Sequence, residues 1–245
     1  MRVRLRFVKL GKVRWTSHRD LARMWERALR RLALPVAYSG GFTPRPKVSF
    51  GLALPTGHES LAEYLDVEFE TDELDVASLP ARLSPALPVG IDVTAAAVIV
   101  PGTASLQEEV TSSCWELEAV GAGPDRVAEL VSAALGSSTL IITRTRKGVA
   151  VVDDVRPSII SVSVVGPVTC VAQGYVDHAP GAALVAELAV HPRSLRPAEL
   201  LAALSPELSE GHVRRTHQWI MRDGARWEPL PLDATDAPHA ERCAS

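Results

Sequence analysis

The pattern of apolar and polar residues predicts an α+β protein built as two tandem ferredoxin-like halves, each a βαββαβ unit with an antiparallel sheet. Two observations predict this fold. Over residues 1–100, strand-like alternation and helix-like periodicity follow one another in the order β-α-β-β-α-β. Over residues 111–230 the same order returns with an extra hairpin inserted. Residues 101–110 begin with Pro101-Gly102 and read as a linker. Residues 231–245 carry no periodic pattern and are expected to be a disordered tail.

In the first half, residues 2–10 alternate as a strand, with Val3, Leu5 and Phe7 on one face and Arg2, Arg4 and Arg6 on the other. Ser17-His18-Arg19-Asp20 resembles a helix capping box, so a helix is expected from His18 to about Leu32. At about 100° per residue, Leu21, Met24, Trp25, Ala28, Leu29 and Leu32 share one arc. Arg19, Arg23, Arg27, Arg30 and Arg31 share the opposite arc. Pro35 ends the helix, and Tyr38 to Lys47 form a loop rich in Gly and Pro. Val48, Phe50 and Leu52 alternate as a strand, followed by a polar loop, Pro55 to Ser60. Leu65, Val67 and Phe69 alternate with Asp66, Glu68 and Glu70, a strand with one acidic face. A short helix is expected within 75–87 and an apolar strand over 91–100.

In the second half, strands are expected over 114–120, 139–145, 149–152, 159–165, 170–176, 183–190 and 212–220. Helices are expected over 124–135 and 196–204. Arg146-Lys147-Gly148 reads as the turn of the extra hairpin.

The net charge of −3 conceals a strong asymmetry. Residues 1–50 carry 13 Lys or Arg and two acids, a balance of +11, whereas the remainder carries 13 basic and 27 acidic residues. A basic section on an acidic body predicts a directed cationic face and an anionic partner. RNA is the expected partner, because Arg forks donate two bonds to a phosphate and aromatics are interleaved with them. The expected contacts are Arg14, Arg19, Arg23, Arg27, Arg30, Arg31, Tyr38, Phe42, Arg45 and Lys47. The opposing explanations are a solvated helix face and a structural turn with its aromatics in the core.

Catalytic signals are sparse. The three cysteines, Cys114, Cys170 and Cys243, are too far apart to ligate an iron–sulfur cluster and form no disulfide framework. No Walker A, GxGxxG or HExxH pattern is present. No cofactor and no metal site is expected; Asp153-Asp154 reads as a solvated pair at a strand end. His18, with Tyr38 and Lys47, offers a general-base set for attack by a ribose 2′-OH, although a packing or capping role for His18 is the favoured reading. Arg214, Arg215 and His217 form a second, weaker basic patch. The N-terminus lacks the apolar core of a signal peptide, and no apolar run approaches the roughly 20 residues that span a bilayer, so a cytoplasmic location is expected.

The run from Ser17 to Phe69, SHRDLARMWERALRRLALPVAYSGGFTPRPKVSFGLALPTGHESLAEYLDVEF, resembles the radical-SAM-associated domain of unknown function. Shorter matches continue through Val155-Arg156-Pro157, Leu195-Arg196-Pro197 and Arg215-Thr216-His217-Gln218-Trp219. The resemblance implies an accessory role beside a radical SAM protein, with no established activity. It marks Ser17, His18, Asp20, Arg30, Arg31, Tyr38, Gly41, Phe42, Pro44, Pro46, Lys47, Gly57 and Glu63 as the functional face. The element order also resembles the tandem ferredoxin-like endoribonucleases that process CRISPR repeats. Three functions follow as expectations: a non-catalytic RNA-binding module serving a radical SAM enzyme that modifies or processes rRNA or tRNA, a metal-independent endoribonuclease, and a protein adaptor that binds no RNA.

Overall fold

The structure, a computed structural model, describes residues 1–146, 148–168 and 180–230. The expected tail at 231–245, the expected strand at 170–176 and Lys147 of the expected turn lie outside the described residues. The protein is α+β, with mostly antiparallel strands and five α-helices among the described residues. It divides into two compact units, the first comprising Met1–Val110 and the segment from His217, the second Thr111–Thr216.

The first unit is built on β1 (Arg2–Lys9) and α1 (His18–Arg31). They are followed by β2 (Val48–Phe50), β3 (Glu59–Glu68), α2 (Leu79–Leu83), β4 (Ile91–Ile99) and α3 (Leu106–Glu109). β1 lies between β3 and β4 and is antiparallel to both, with Leu5 opposite Leu65 and Ala96. β2 pairs with β3 on its other side, Phe50 opposite Leu65. Alternation along β1 sends Val3, Leu5 and Phe7 into an apolar core shared with Leu21, Trp25, Ala28 and Leu29 of α1. The Phe7 and Trp25 rings meet edge to face at 5.1 Å. Ser17 caps α1 by accepting the Asp20 backbone N–H at 3.2 Å.

β1 presents its arginines to the opposite face, and there the sequence expectation needs correction. Arg4 and Arg6 belong to the interior of the first unit, and Arg2 is partly exposed. Arg4 Nε and Nη2 donate to the two carboxylate oxygens of Asp66 at 2.8 and 3.1 Å, and both side chains are almost fully buried. Arg4 Nη1 also reaches Glu109 at 3.3 Å. Burial opposes the charge on Arg4, but the hydrogen bonds and attraction of Asp66 and Glu109 outweigh it and raise its pKa. Arg6 pairs with Glu228 at 2.8 Å and stacks over Tyr64. Buried Lys9 donates to the Arg14 and Thr16 carbonyls at 3.3 and 3.2 Å.

β3 begins earlier than expected because Glu59 and Ser60 have partners inside. Ser60 stands opposite Lys9 in the ladder, and Glu59 Oε1 accepts the Gly11 backbone N–H at 2.8 Å. The segment expected to be a linker contains α3, whose Leu106 is buried and whose Glu109 holds Arg4 and Arg222.

The second unit contains β5 (Val110–Val120, from Thr111), α4 (Pro124–Gly136), β6 (Ile141–Arg146), β7 (Val149–Asp154), β8 (Ile159–Pro167), β9 (Gly181–Ala189) and α5 (Pro197–Leu204). β9 pairs with both β5 and β8, antiparallel in each case. α4 buries Val127, Val131 and Ala134 and packs on β8 and β9. β6 and β7 form the expected hairpin as a separate two-stranded sheet. The fourteen-residue β10 (Ser209–Arg222) neighbours β5 and β3, and its residues divide between the units after Thr216. β11 (Ala225–Trp227), which the sequence reading missed, pairs back on β10.

Replacing Asp66 by Ala is expected to cost about 3 kcal/mol, because it strips a buried arginine of its bidentate partner. The double change Arg4→Leu with Asp66→Leu is expected to recover much of that loss. Urea unfolding measures both, and an Asp66→Ala midpoint equal to the parent's would refute the role assigned to the pair.

Candidate nucleic-acid interface

α1 is amphipathic in the strict sense that its two arcs meet different surroundings. Leu21, Trp25, Ala28 and Leu29 are buried, while Arg19, Arg23, Arg27, Arg30 and Arg31 are all exposed. Arg23 pairs with Asp20 at 3.3 Å, both half exposed, a contact of marginal strength. Arg19, Arg27, Arg30 and Arg31 form no salt bridge among the described residues. The same holds for Lys12 and Arg45, both exposed. The free positive charge of this half is therefore concentrated on one helix, and Arg2, Arg4, Arg6 and Lys9 contribute nothing comparable.

After α1 the chain forms a tight hairpin-like loop anchored on the end of β3. The Ala37 N–H donates to the Glu68 carbonyl, and the Lys47 N–H donates to the Ala37 carbonyl, each at 2.8 Å. Ser39 and Arg45 exchange two bonds: the Ser39 N–H to the Arg45 carbonyl at 2.8 Å, and the Arg45 N–H to the Ser39 hydroxyl at 3.0 Å. Tyr38 bridges to Pro46. Gly41 turns the tip with φ +112°, a conformation other residues avoid. Phe42 at that tip is fully exposed (110%), and Tyr38 is 46% exposed. The competing expectation, that these aromatics are core residues, is overturned for Phe42.

The other contacts expected from sequence are placed differently. Arg14 is mostly buried, pairs with Glu59 at 3.4 Å and lies over the Trp15 ring at 5.2 Å. Lys47 is half exposed and pairs with Glu68 at 2.8 Å. Trp15 is 64% exposed and was missed by the sequence reading; nothing in its local spacing distinguishes it from a strand residue. It rests against Gly57 (φ +93°), where a Cβ would stand 2.9 Å from the indole.

Of the general-base set His18, Tyr38 and Lys47, Lys47 is engaged by Glu68 and Tyr38 is half exposed in the loop after α1. His18 is the first residue of α1, and its ring meets Phe50 edge to face at 5.1 Å. Phe50 and Val48 pack toward the core beneath α1. Lys47 and Ser49, out of phase with them, line a cavity with Asp66 and Glu68 on the other face. Phe50, the neighbour of the His18 ring, lines that cavity as well. The cleft that His18 does share, with Lys9, Glu63 and Tyr64, has about 10 Å³ of free volume, room for at most one water.

The second basic patch is also internal to its surroundings. Arg215 is buried with its guanidinium 5.4 Å from the Trp115 ring, Arg214 pairs with Glu116 at 3.6 Å, and His217 stacks on Trp219 at 5.1 Å. Asp153 is held by Arg144 and Arg193, and Asp154 accepts the Leu140 and Arg156 backbone N–H groups at 2.8 and 3.0 Å. No grouping of metal-ligating side chains occurs among the described residues. Among the same residues no helix is long and apolar enough to cross a membrane, which says nothing of strands.

A family model described as "Uncharacterized protein conserved in bacteria (DUF2344)" matches residues 2–211. No curated protein matches the chain. Among solved structures, a chain from the crystal structure of a Cbf5-Nop10-Gar1 complex aligns with a TM-score of 0.49 and 8% identity. The alignment covers 88% of this chain and 48% of that one, so this chain spans about half the length of that relative. An unknown protein from Galdieria sulphuraria aligns with a TM-score of 0.24 and 12% identity, over 86% of this chain and 98% of that one. Both likenesses are too distant to carry function.

The exposed arginine row contributes no folding contact beyond Arg23–Asp20. The double change Arg27→Glu with Arg30→Glu is therefore expected to leave the unfolding midpoint within about 0.5 kcal/mol of the parent. Trp25→Ala, by contrast, is expected to cost about 3–5 kcal/mol through the cavity it leaves under α1. Parallel denaturant unfolding of the two variants checks the contrast.

Proposed function

The chain belongs to the DUF2344 family of uncharacterised proteins conserved in bacteria, and we propose that it is an RNA-binding accessory protein that works beside a radical SAM enzyme in rRNA or tRNA modification or processing. The observation that carries the RNA half of this proposal is the exposed arginine row of α1, in which only Arg23 has an ion-pair partner among the described residues. Like charges at i,i+4 destabilise a helix by roughly 0.2–0.5 kcal/mol per pair, so Arg19, Arg23, Arg27 and Arg31 oppose the helix they stand on. A phosphate backbone relieves that repulsion and gains forked hydrogen bonds. Pairing of Arg2, Arg4 and Arg6 with carboxylates sharpens the proposal, because it leaves the free charge mainly on α1, with Lys12 before it and Arg45 after it.

The radical SAM partner rests on the motif run from Ser17 to Phe69. A finer assignment, two tandem ferredoxin-like halves, is supported by strand order. Within the first unit β4, β1, β3 and β2 stand side by side in that order. Within the second unit β10, β5, β9 and β8 repeat it, with the β6–β7 hairpin as an insertion.

The endoribonuclease alternative draws no support from the His18 cleft, which has room for at most one water. The adaptor alternative uses the same arginine row and differs only in its partner, so one experiment separates them. Affinity for mixed cellular RNA is expected to fall roughly 50-fold between 50 and 200 mM salt, the response of about four phosphate contacts on a single strand. Arg27→Glu with Arg30→Glu is expected to weaken binding by about tenfold or more and to flatten the salt dependence. Unchanged RNA affinity in that variant would sink the proposal. Recovery of a protein partner after nuclease treatment, indifferent to added RNA, would favour the adaptor. Crosslinking in cells is expected to recover a radical SAM protein, and its absence would remove that partner.

A further inference from the structure

We propose that the nucleic acid taken by the α1 face is single-stranded, with its backbone along the arginine row and at least one unstacked base on Phe42. The inference rests on the RNA-binding proposal above and narrows the substrate class.

Three features point to it. Exposed aromatics flank α1 in the chain: Trp15 stands three residues before its first residue, and Phe42 sits in the loop after its last. A fully exposed phenyl ring contributes nothing to folding, yet the Ala37–Lys47 and Ser39–Arg45 hydrogen bonds fix the loop that carries it. Such a ring offers a preorganised stacking platform, and base–aromatic stacking is tolerant of sequence.

Gly40 supplies the second feature. Its φ is not in the left-handed region, and a Cβ built there would meet nothing within 4 Å. Neither backbone strain nor crowding within the described protein requires glycine at this position. What the missing Cβ does provide is bare backbone beside Phe42, open to close approach from outside.

The third feature is length. The row from Arg19 to Arg31 spans about 18 Å at the rise of an α-helix, the length of about five nucleotides at stacked spacing. In a duplex the base faces are covered by their neighbours, so Phe42 would find only edges and backbone. A single strand satisfies both the row and the ring.

The test uses the full chain and three labelled probes: a mixed-sequence RNA strand of about 12 nucleotides, the same strand in a duplex, and an abasic strand of equal length. Fluorescence anisotropy measures each affinity. The parent is expected to bind the RNA strand about tenfold or more tighter than the abasic strand, and tighter than the duplex. Phe42→Ala and Gly40→Val are each expected to abolish the preference over the abasic strand while keeping the melting temperature and the salt dependence. Duplex binding as tight as single-strand binding would overturn the inference, as would a Phe42→Ala variant that still prefers the RNA strand. Equal binding of all three probes, lost in Arg27→Glu with Arg30→Glu, would overturn it while leaving RNA binding intact. Failure to bind any probe at low salt would overturn both.

Discussion

The first unit depends on the buried bidentate contact between Arg4 and Asp66. A strand that alternates apolar and arginine side chains has one face suited to a core and one that resists burial. Asp66, directly opposite Arg4 in the β1–β3 ladder, makes the second face tolerable inside the protein. Glu109 and Glu228 extend the same solution to the rest of Arg4 and to Arg6. With those charges satisfied, Val3, Leu5 and Phe7 are free to carry α1. The rotation of α1 follows: its apolar arc is pinned on β1, and its arginine arc has nowhere to point but solvent.

One residue type consequently performs two unrelated tasks within the first 31 residues. Among the arginines of β1, Arg4 is structural because Asp66 stands across from it in the ladder, and Arg6 because Glu228 reaches it from far along the chain. The arginines of α1 have only Asp20 and Glu26 on their own helix, and among the described residues no ion-pair partner for Arg19, Arg27, Arg30 or Arg31. What separates the two sets is the local supply of acid, not their exposure in sequence. A local charge total of +11 therefore overstates the surface charge of this half and conceals how narrowly the remainder is aimed.

Much of this was legible beforehand. The 3.6-residue period of α1, its Ser17 cap and the alternation in β1 all rest on local chemistry, and each was recovered to within a residue or so. The acidic face of Asp66 and Glu68 was also visible, as was the arginine face of Arg2, Arg4 and Arg6. What a linear pattern lacks is register, which decides that these two faces are the same face. Glu228, far along the chain, carries no local mark of its pairing with Arg6. Phe42 and Trp15 illustrate the converse: an aromatic beside basic residues looks alike whether buried or exposed, and only the packing tells them apart. Arg215 was misjudged for the same reason, since a strand residue beside a distant Trp115 is indistinguishable in sequence from a surface cation.

The ion pair between Arg6 and Glu228 joins residues 222 positions apart. On the ribosome, Arg6 is made more than two hundred residues before its carboxylate. The β10 segment from His217, which belongs to the first unit, arrives equally late. The first unit thus begins before the second and can be completed only after it. Until then its arginine face must remain hydrated or be shielded by something else. A division of the chain at Val110 that looks natural on paper would leave that face permanently open.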